Sequence, residues 1–317
     1  MTSEQSEQLE LAVIVPLHNE TESINYFYNR LRSTLEGIKD LTKWEVIFVN
    51  DGSTDNSLEK LKELRENDKR VNIISLARSF GYQNALQAGL MTVTANFYSI
   101  VDVDCEDPPE LLEEFFHSIK HEKIEIAYGI RSNREEPSLV VFFRKIFYLI
   151  NRIIADNEIV MWMAEFSMFT HNVKLVTLLP RNTFLFLRNE IAYAGLKRKG
   201  FDYFRAKRKF GKTHYNFFRM TMFAIAGFLT SSTFPLRMIF YLSGFIGIML
   251  PLMWTFFEVG LQTIANLSVV ILLYYSIICL SIISLYLARS YQNIINRPLY
   301  VIDIKQSFLN NSTKLEE

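Results

Sequence analysis

Residues 96–110 read NFYSIVDVDCEDPPE, an apolar, aromatic and β-branched run that ends in four carboxylates, Asp102, Asp104, Glu106 and Asp107. A short continuous apolar run of this kind predicts a strand buried on both faces, with the acids crowded at its tip. Four similar runs accompany it: LAVIVPL at 11–17, WEVIFVN at 44–50, VNIISL at 71–76 and IEIAYGI at 124–130. Helical patterns lie between them, from Asp55 onward, at 83–94 and at 109–120, the last with proline early and acids in its first turns. The alternation predicts an α/β domain doubly wound around a mainly parallel sheet, binding its ligand beyond the carboxyl ends of the strands. Three of those ends are polar: PLHNE at 16–20, NDGSTD at 50–55 and DVDCEDPP at 102–109.

The chemistry of these tips is specific in one case only. Carboxylates crowded on one strand end are unfavourable unless a cation neutralises them. Oxygen-only ligands select a hard divalent ion, Mg²⁺ or Mn²⁺, which in turn favours a diphosphate-bearing ligand. The alternative is a solvated acidic loop. Asp51, before a Gly-Ser turn, either accepts hydrogen bonds from a base or ribose or serves the turn itself, while Ser53 or Asp55 caps the next helix. None of the five histidines has metal-ligand spacing with another His or a Cys. The two cysteines, Cys105 and Cys279, lie in unlike regions, which argues against a disulfide framework.

The chain is 317 residues long and 49% hydrophobic, ample for a core and unlike a disordered protein. Its zero formal charge hides a segregation. Residues 1–140 carry 25 acids and 14 bases, residues 141–237 carry 5 and 16, and residues 238–317 carry 4 and 4, so the segments run −11, +11 and 0. Residues 1–10 are polar and acidic, so no signal peptide is expected. Residues 238–259 and 267–287 are 22 and 21 residues long with Glu258 their one charge, and each is long enough to span a bilayer. Buried helices of a soluble protein are the alternative. Arg219 and Arg237 precede the first span, Arg289, Arg297 and Lys305 follow the second, and the link between them has neither Lys nor Arg. The positive-inside rule then places a two-helix hairpin in an inner or plasma membrane with both chain ends cytoplasmic. Residues 144–155 and 215–234 read as interfacial amphipathic helices.

Five motifs in order, VIVPLHNE (13–20), VNDGSTDNS (49–57), LARSFGYQNALQAGL (76–90), DVDCEDPPE (102–110) and YGIRSNRE (128–135), resemble the inverting GT-A glycosyltransferases of family two. More narrowly they are similar to the polyprenyl-phosphate glycosyltransferases, the GtrB-type glucosyltransferases and dolichyl-phosphate mannose synthases, whose GtrB-like branch shares the C-terminal hairpin. The resemblance implies a GT-A catalytic domain that transfers a sugar from a nucleotide sugar, a UDP-sugar, to a polyprenyl phosphate. It implies that Pro16, Glu20 and Asp51 hold the nucleoside and that Asp102 and Asp104 form the D-x-D pair at the diphosphate and metal, with Glu106 a further metal ligand. Arg131, in the Gly-x-Arg position, and Arg144 are implied at phosphates. FRAKRKFGKTHY (204–215) is similar to the family's R-x-x-R-x-x-G-x-S-K-Y segment, placing Arg205 and Arg208 near the donor phosphates. Thr213-His214 replaces the family's Ser-Lys there, and Lys212 stands in from the neighbouring position for contact with the acceptor phosphate. In MAEFSMF (163–169), Glu165 takes the place of an Asp, as a base or sugar-hydroxyl ligand or else in a capping role, and Ser167 that of an Arg.

The organisation expected is a nucleotide-sugar core at 1–140, an acceptor-side and interfacial region at 141–237, two spans at 238–288 and a tail at 289–317. A phosphate monoester is already mostly dianionic at neutral pH, so no strong general base is needed. The basic segment then faces the bilayer surface and the lipid phosphate, with a flippase or a second copy of the chain as further partners and no nucleic acid. The rivals are a processive polysaccharide synthase, whose Q-x-x-R-W-type motif was not found, and a non-catalytic scaffold that keeps the nucleotide fold.

Overall fold

The first apolar run is β1 (Leu11–Leu17), buried along its whole length, as a strand covered on both faces must be. A computed structural model describes residues 9–131, 163–178, 187–206, 232–256, 261–295 and 297–310. After β1 come α1 (Ile24–Gly37), β2 (Trp44–Asn50), α2 (Ser57–Asn67), β3 (Val71–Ser75), α3 (Tyr82–Thr92), β4 (Phe97–Ile100), α4 (Leu112–Glu122) and β5 (Ile126–Arg131). Then follow β6 (Met163–Thr170), α5 (His171–Leu178), α6 (Leu187–Tyr193), β7 (Arg198–Tyr203), α7 (Phe234–Phe256) and α8 (Leu261–Ile295). The described residues fall into two compact units, one holding the sheet together with residues 298–310, the other holding α7 and α8.

Seven strands form one sheet in the order β3-β2-β1-β4-β6-β5-β7. Every neighbouring pair is parallel except those of β6, which runs antiparallel to β4 and β5. The expected doubly wound, mainly parallel α/β domain is therefore the observed one. The period of two in β1 divides the core. Val13 and Val15 face a layer with Phe27 and Leu31 of α1 and Phe115 of α4, while Ala12 and Ile14 face Ala85 and Leu86 of α3.

Two details of this sheet position the site. β1 and β4 pair only as far as Ile14 and Ile100, and the Val101 N–H closes the ladder on the Ile14 carbonyl at 3.1 Å. The next rung of a parallel ladder would use the N–H of residue 16, which Pro16 lacks, so the ladder stops where strand order reverses. Beside it, Gly52 has φ +58°, and a Cβ there would stand 2.3 Å from the Arg78 carbonyl carbon and 2.5 Å from the Ser79 nitrogen. Glycine lets the loops after β2 and β3 touch backbone to backbone.

Residues 298–310 close the β3 edge of the sheet. Ile73 and Phe308 exchange backbone hydrogen bonds at 2.8 and 2.7 Å, Ala77 donates to Val301 at 2.9 Å and Asp303 to Ser75 at 2.8 Å. The Asn310 amide donates to the Lys69 carbonyl at 2.7 Å and accepts from Arg65 at 3.0 Å. Tyr300, Ile302 and Leu309 pack on the α3-side core. An edge strand is thereby paired instead of left open.

In the second unit, α7 and α8 each contain a stretch long and apolar enough to cross a membrane, Phe234–Met253 and Ala265–Ile295, almost none of it buried within the chain. The Tyr275 hydroxyl donates to the Ile239 carbonyl at 2.8 Å and also meets Ser243, and Tyr286 donates to the Ser232 carbonyl at 2.7 Å. These bonds use tyrosines of α8 to reach α7 and the residues just before it. Most of the expected interfacial stretches, 144–155 and 215–231, lies outside the described residues.

Gly52→Ala is expected to lower the stability of the sheet unit by about 2–4 kcal/mol, through left-handed strain and the backbone clash together. Thermal unfolding followed by near-ultraviolet circular dichroism checks this; an unchanged midpoint would contradict the close approach of the two loops.

Candidate active site

The acids after β4 are sorted by their partners. Asp107 is buried, at 1% exposure, and its Oδ1 accepts from the Tyr203 hydroxyl of β7 at 2.5 Å. Its Oδ2 lies 3.4 Å from the Arg131 guanidinium, whose Nε donates to the Tyr203 oxygen at 3.0 Å. Glu106 pairs with Arg205 at 2.5 Å, and its carbonyl accepts the Ala206 N–H at 2.9 Å. Two arginines thus neutralise two of the four acids. Asp104 Oδ1 accepts the Glu106 N–H at 3.1 Å, a turn contact that leaves its other oxygen for a ligand.

Asp102 is held differently. Its Oδ1 accepts from the Tyr82 hydroxyl at 2.7 Å. Burial, then the charges of Asp107 and Asp104, push its carboxyl up to about 7. Burial and Asp102 push the Tyr82 phenol well above its ordinary value, so Tyr82 stays a donor.

Opposite this tip stands β6. The β4–β6 register ends at Ile100 and Ser167, and continued by two residues it sets Asp102 across from Glu165. Glu165 Oε1 accepts from the Gln83 amide at 3.3 Å, whereas Oε2 is buried and has no hydrogen-bond partner among the described residues. Burial raises this carboxyl, and Arg188, Gln83 and Arg131 oppose the rise. Gln83 also accepts the Leu187 N–H at 3.0 Å, tying α3 to the start of α6. A buried oxygen without a donor awaits one, and a sugar hydroxyl is of the right kind.

On the β2 side, Asp51 is buried and fully engaged. Its carboxylate accepts from the Ser79 hydroxyl at 2.8 Å, the Phe80 N–H at 2.6 Å and the Gly81 N–H at 3.0 Å. It holds the loop that opens α3, a long-range role and not the local Gly-Ser turn, which Asn50 serves by accepting the Ser53 N–H at 3.1 Å. Pro16 lies inside β1. The N–H of Glu20 donates to Ser57 at 2.9 Å and its carboxylate accepts from Ser23 at 2.9 Å, tying the loops after β1 and β2.

The structure therefore brings Asp102, Asp104, Glu106, Arg131 and Arg205 together at one strand end, with Glu165 across from it. Arg144, Arg208 and Lys212 lie outside the described residues. Tyr82, Gln83, Tyr203 and Arg188 were not singled out from sequence. The first two directly follow the loop glycine Gly81, and Tyr203 ends a strand whose charged residues disguise it.

The donor set fits a hard divalent ion in one particular way. No cluster of three or more His, Cys, Asp or Glu suited to a metal exists among the described residues. Glu106, implied as a metal ligand, is committed to Arg205. Asp102 and Asp104 remain, and one or two carboxylates completed by phosphate oxygens and water is the usual arrangement for Mg²⁺.

The profile of glycosyl transferase family 2 matches residues 12–173. The uncharacterized glycosyltransferase YkcC of Bacillus subtilis is 30% identical over 312 residues, 94% of each chain. The prophage bactoprenol glucosyl transferase homolog of Escherichia coli is 28% identical over 305 residues, 93% of this chain and 98% of that one. The bactoprenol glucosyl transferase of Shigella phage SfII is 26% identical over 307 residues, 93% and 97% of the two chains.

A carboxyl raised in the folded state binds its proton more tightly there than in the unfolded chain. Its protonated form favours folding at low pH, and stability falls as pH rises from the ordinary carboxylate range through about 7. Asp102→Asn, which keeps an acceptor for Tyr82, is expected to raise the melting temperature by a few degrees at pH 8 with divalent ions chelated. The gain should vanish near pH 4, as scanning calorimetry across that range would show.

Proposed function

Because the chain belongs to glycosyl transferase family 2 and joins an acidic strand tip to two helices of spanning length, we propose that it moves one sugar, with inversion, from a nucleotide sugar to a polyprenyl phosphate. The observation that carries this reading is the sorting of the acids: arginines neutralise Glu106 and Asp107, and Asp102 and Asp104 are left for a cation and a diphosphate. The bactoprenol named in two relatives is a polyprenol, which supports the acceptor.

The donor is a UDP-sugar in this proposal, bound across the ends of β1, β2 and β4. The acceptor phosphate, mostly dianionic at neutral pH, supplies its own nucleophile. One of its oxygens attacks the anomeric carbon from the face opposite the diphosphate. The new carbon–oxygen bond forms as the old one breaks, the electron pair leaves with the nucleoside diphosphate, and no proton need be transferred. Asp102 and Asp104 would hold Mg²⁺ or Mn²⁺, which supplies positive charge to the departing diphosphate. Arg131, fixed by Tyr203 and Asp107, and Arg205, fixed by Glu106, add preorganised positive charge beside the same tip. Glu165 receives a sugar hydroxyl on its unpartnered oxygen. Arg208 serves the donor phosphates, and Arg144 and Lys212, with Arg131, the phosphate of the acceptor.

The chain's path supports the proposed membrane face. The hairpin leaves the sheet unit and returns to it at residue 298, so an even number of crossings joins two ends of one folded body. Arginines at both ends of the hairpin favour the cytoplasmic face for that body. A separate flippase would then carry the lipid-linked sugar across.

Purified chain with radiolabelled UDP-sugars, Mn²⁺ and polyprenyl phosphate is expected to move label into the organic phase. Asp104→Asn should reduce that transfer at least about 100-fold with the melting temperature unchanged. Label that stays in water with every donor tried overturns the reading. In sealed inverted vesicles a tag after residue 317 is expected to be cut by added protease, and in right-side-out vesicles to be protected; the opposite pattern overturns the cytoplasmic assignment.

A further inference from the structure

A cavity of about 510 Å³ lies at the ends of β1, β2 and β3, and the C-terminal tail forms part of its wall. His18, Asn50, Ser53, Ser75 and Arg78 line it from the strand tips, and Asp303 and Gln306 from the tail. Its volume is that of a small-molecule pocket. It is on the β2–β3 side of the strand-order reversal, while the acidic tip follows β4 on the other side. A nucleotide with its diphosphate at the acidic tip would put its base here.

Apart from Arg78, whose Nη1 donates to the Ser79 carbonyl at 3.0 Å, the polar side chains named at the strand tips are already engaged. Asn50 donates to Ser75 at 3.1 Å and accepts the Ser53 N–H at 3.1 Å. His18 meets the Asp51 carbonyl at 2.7 Å. The Asp51 carboxylate already accepts three hydrogen bonds from residues 79–81. Asp303 Oδ1 caps the turn at Lys305, 3.0 Å from its N–H. Gln306 differs from all of these. Its side chain is exposed and its amide makes no hydrogen bond among the described residues.

We propose that the tail is a wall of the donor's base pocket and that the Gln306 amide hydrogen-bonds the edge of the base. This rests on the nucleotide-sugar reading above and deepens it. An amide can accept the N3–H of uracil with its oxygen and donate to the neighbouring carbonyl with its nitrogen. Tail docking fixes where that amide is presented, through the bonds of Asp303, Phe308 and Asn310 to the β3 edge.

Isothermal titration of the full chain in nanodiscs with UDP tests this, beside Gln306→Ala and Gln306→Glu. UDP affinity is expected to fall about 10-fold in Gln306→Ala, with the melting temperature unchanged, as for an exposed side chain that supports no other group. Gln306→Glu removes the donor and keeps acceptors. UDP should therefore keep its N3–H bond and lose the one to its carbonyl, so its affinity is expected to fall in this variant as well. Equal UDP affinity in wild type and Gln306→Ala overturns the inference and leaves the donor reading standing. A wild-type chain that binds UDP in neither the presence nor the absence of Mn²⁺ overturns both.

Discussion

Four carboxylates within six residues cannot all carry full charge in a half-buried space without counter-charge, and the structure beyond β4 is organised around that constraint. Asp107 takes Tyr203 and Arg131, Glu106 takes Arg205, and Asp102 takes a neutral tyrosine and is left with a raised affinity for protons. The unevenness matters. Had all four met arginines, the tip would be a structural ion-pair network with nothing left for a ligand. Had none, the repulsion would work against the strand end itself. Two neutralised and two open acids leave uncompensated negative charge at the tip once protons leave it.

The legible part of the fold was the part whose burial is simple. β1 to β5 are near-continuous apolar runs because they are covered on both faces, and their positions follow from that alone. β6 and β7 escaped because they do not look like that. MAEFSMFT and RKGFDY interrupt their apolar residues with Glu165, Ser167, Lys199 and Asp202. Glu165 sits in a strand because its neighbours Phe166 and Met168 are core residues, while its own side chain faces the crevice. The tail was illegible for a further reason: YVIDIKQSFLN gains its structure from the β3 edge it covers and the core it packs on, contacts some 230 residues away in sequence (232 for Ser75 and Ser307).

Motif-level reading picked out residues that lie at neighbouring strand ends, but the contacts they make there are not always the ones it implied. Asp51 is an example. The motif implied a nucleoside contact, yet its oxygens are turned to the Ser79 hydroxyl and the Phe80 and Gly81 N–H groups, so what it holds is the loop that opens α3. Gly52 serves the same loop from the other side by omitting a side chain. Short-range turn chemistry and long-range loop packing use the same residue types, and only the neighbours in space tell them apart.

The charge segregation along the chain acquires a different meaning once these pairs are known. A basic segment beside two apolar helices suggests attraction to an anionic bilayer, and that role needs only net charge near the surface. Yet two of its described bases pair with acids of the −11 segment: Arg205 meets Glu106 and Asp107, and the exposed Lys199 meets Glu122. Both tasks can be done by one sequence because they draw on different residues. Arg205, just after β7, neutralises Glu106 of the acidic tip at fixed geometry, where an arginine fork is worth most. Lys207, Arg208, Lys209 and Lys212 follow in the sequence, and their charge adds to the net excess on which attraction to a bilayer depends.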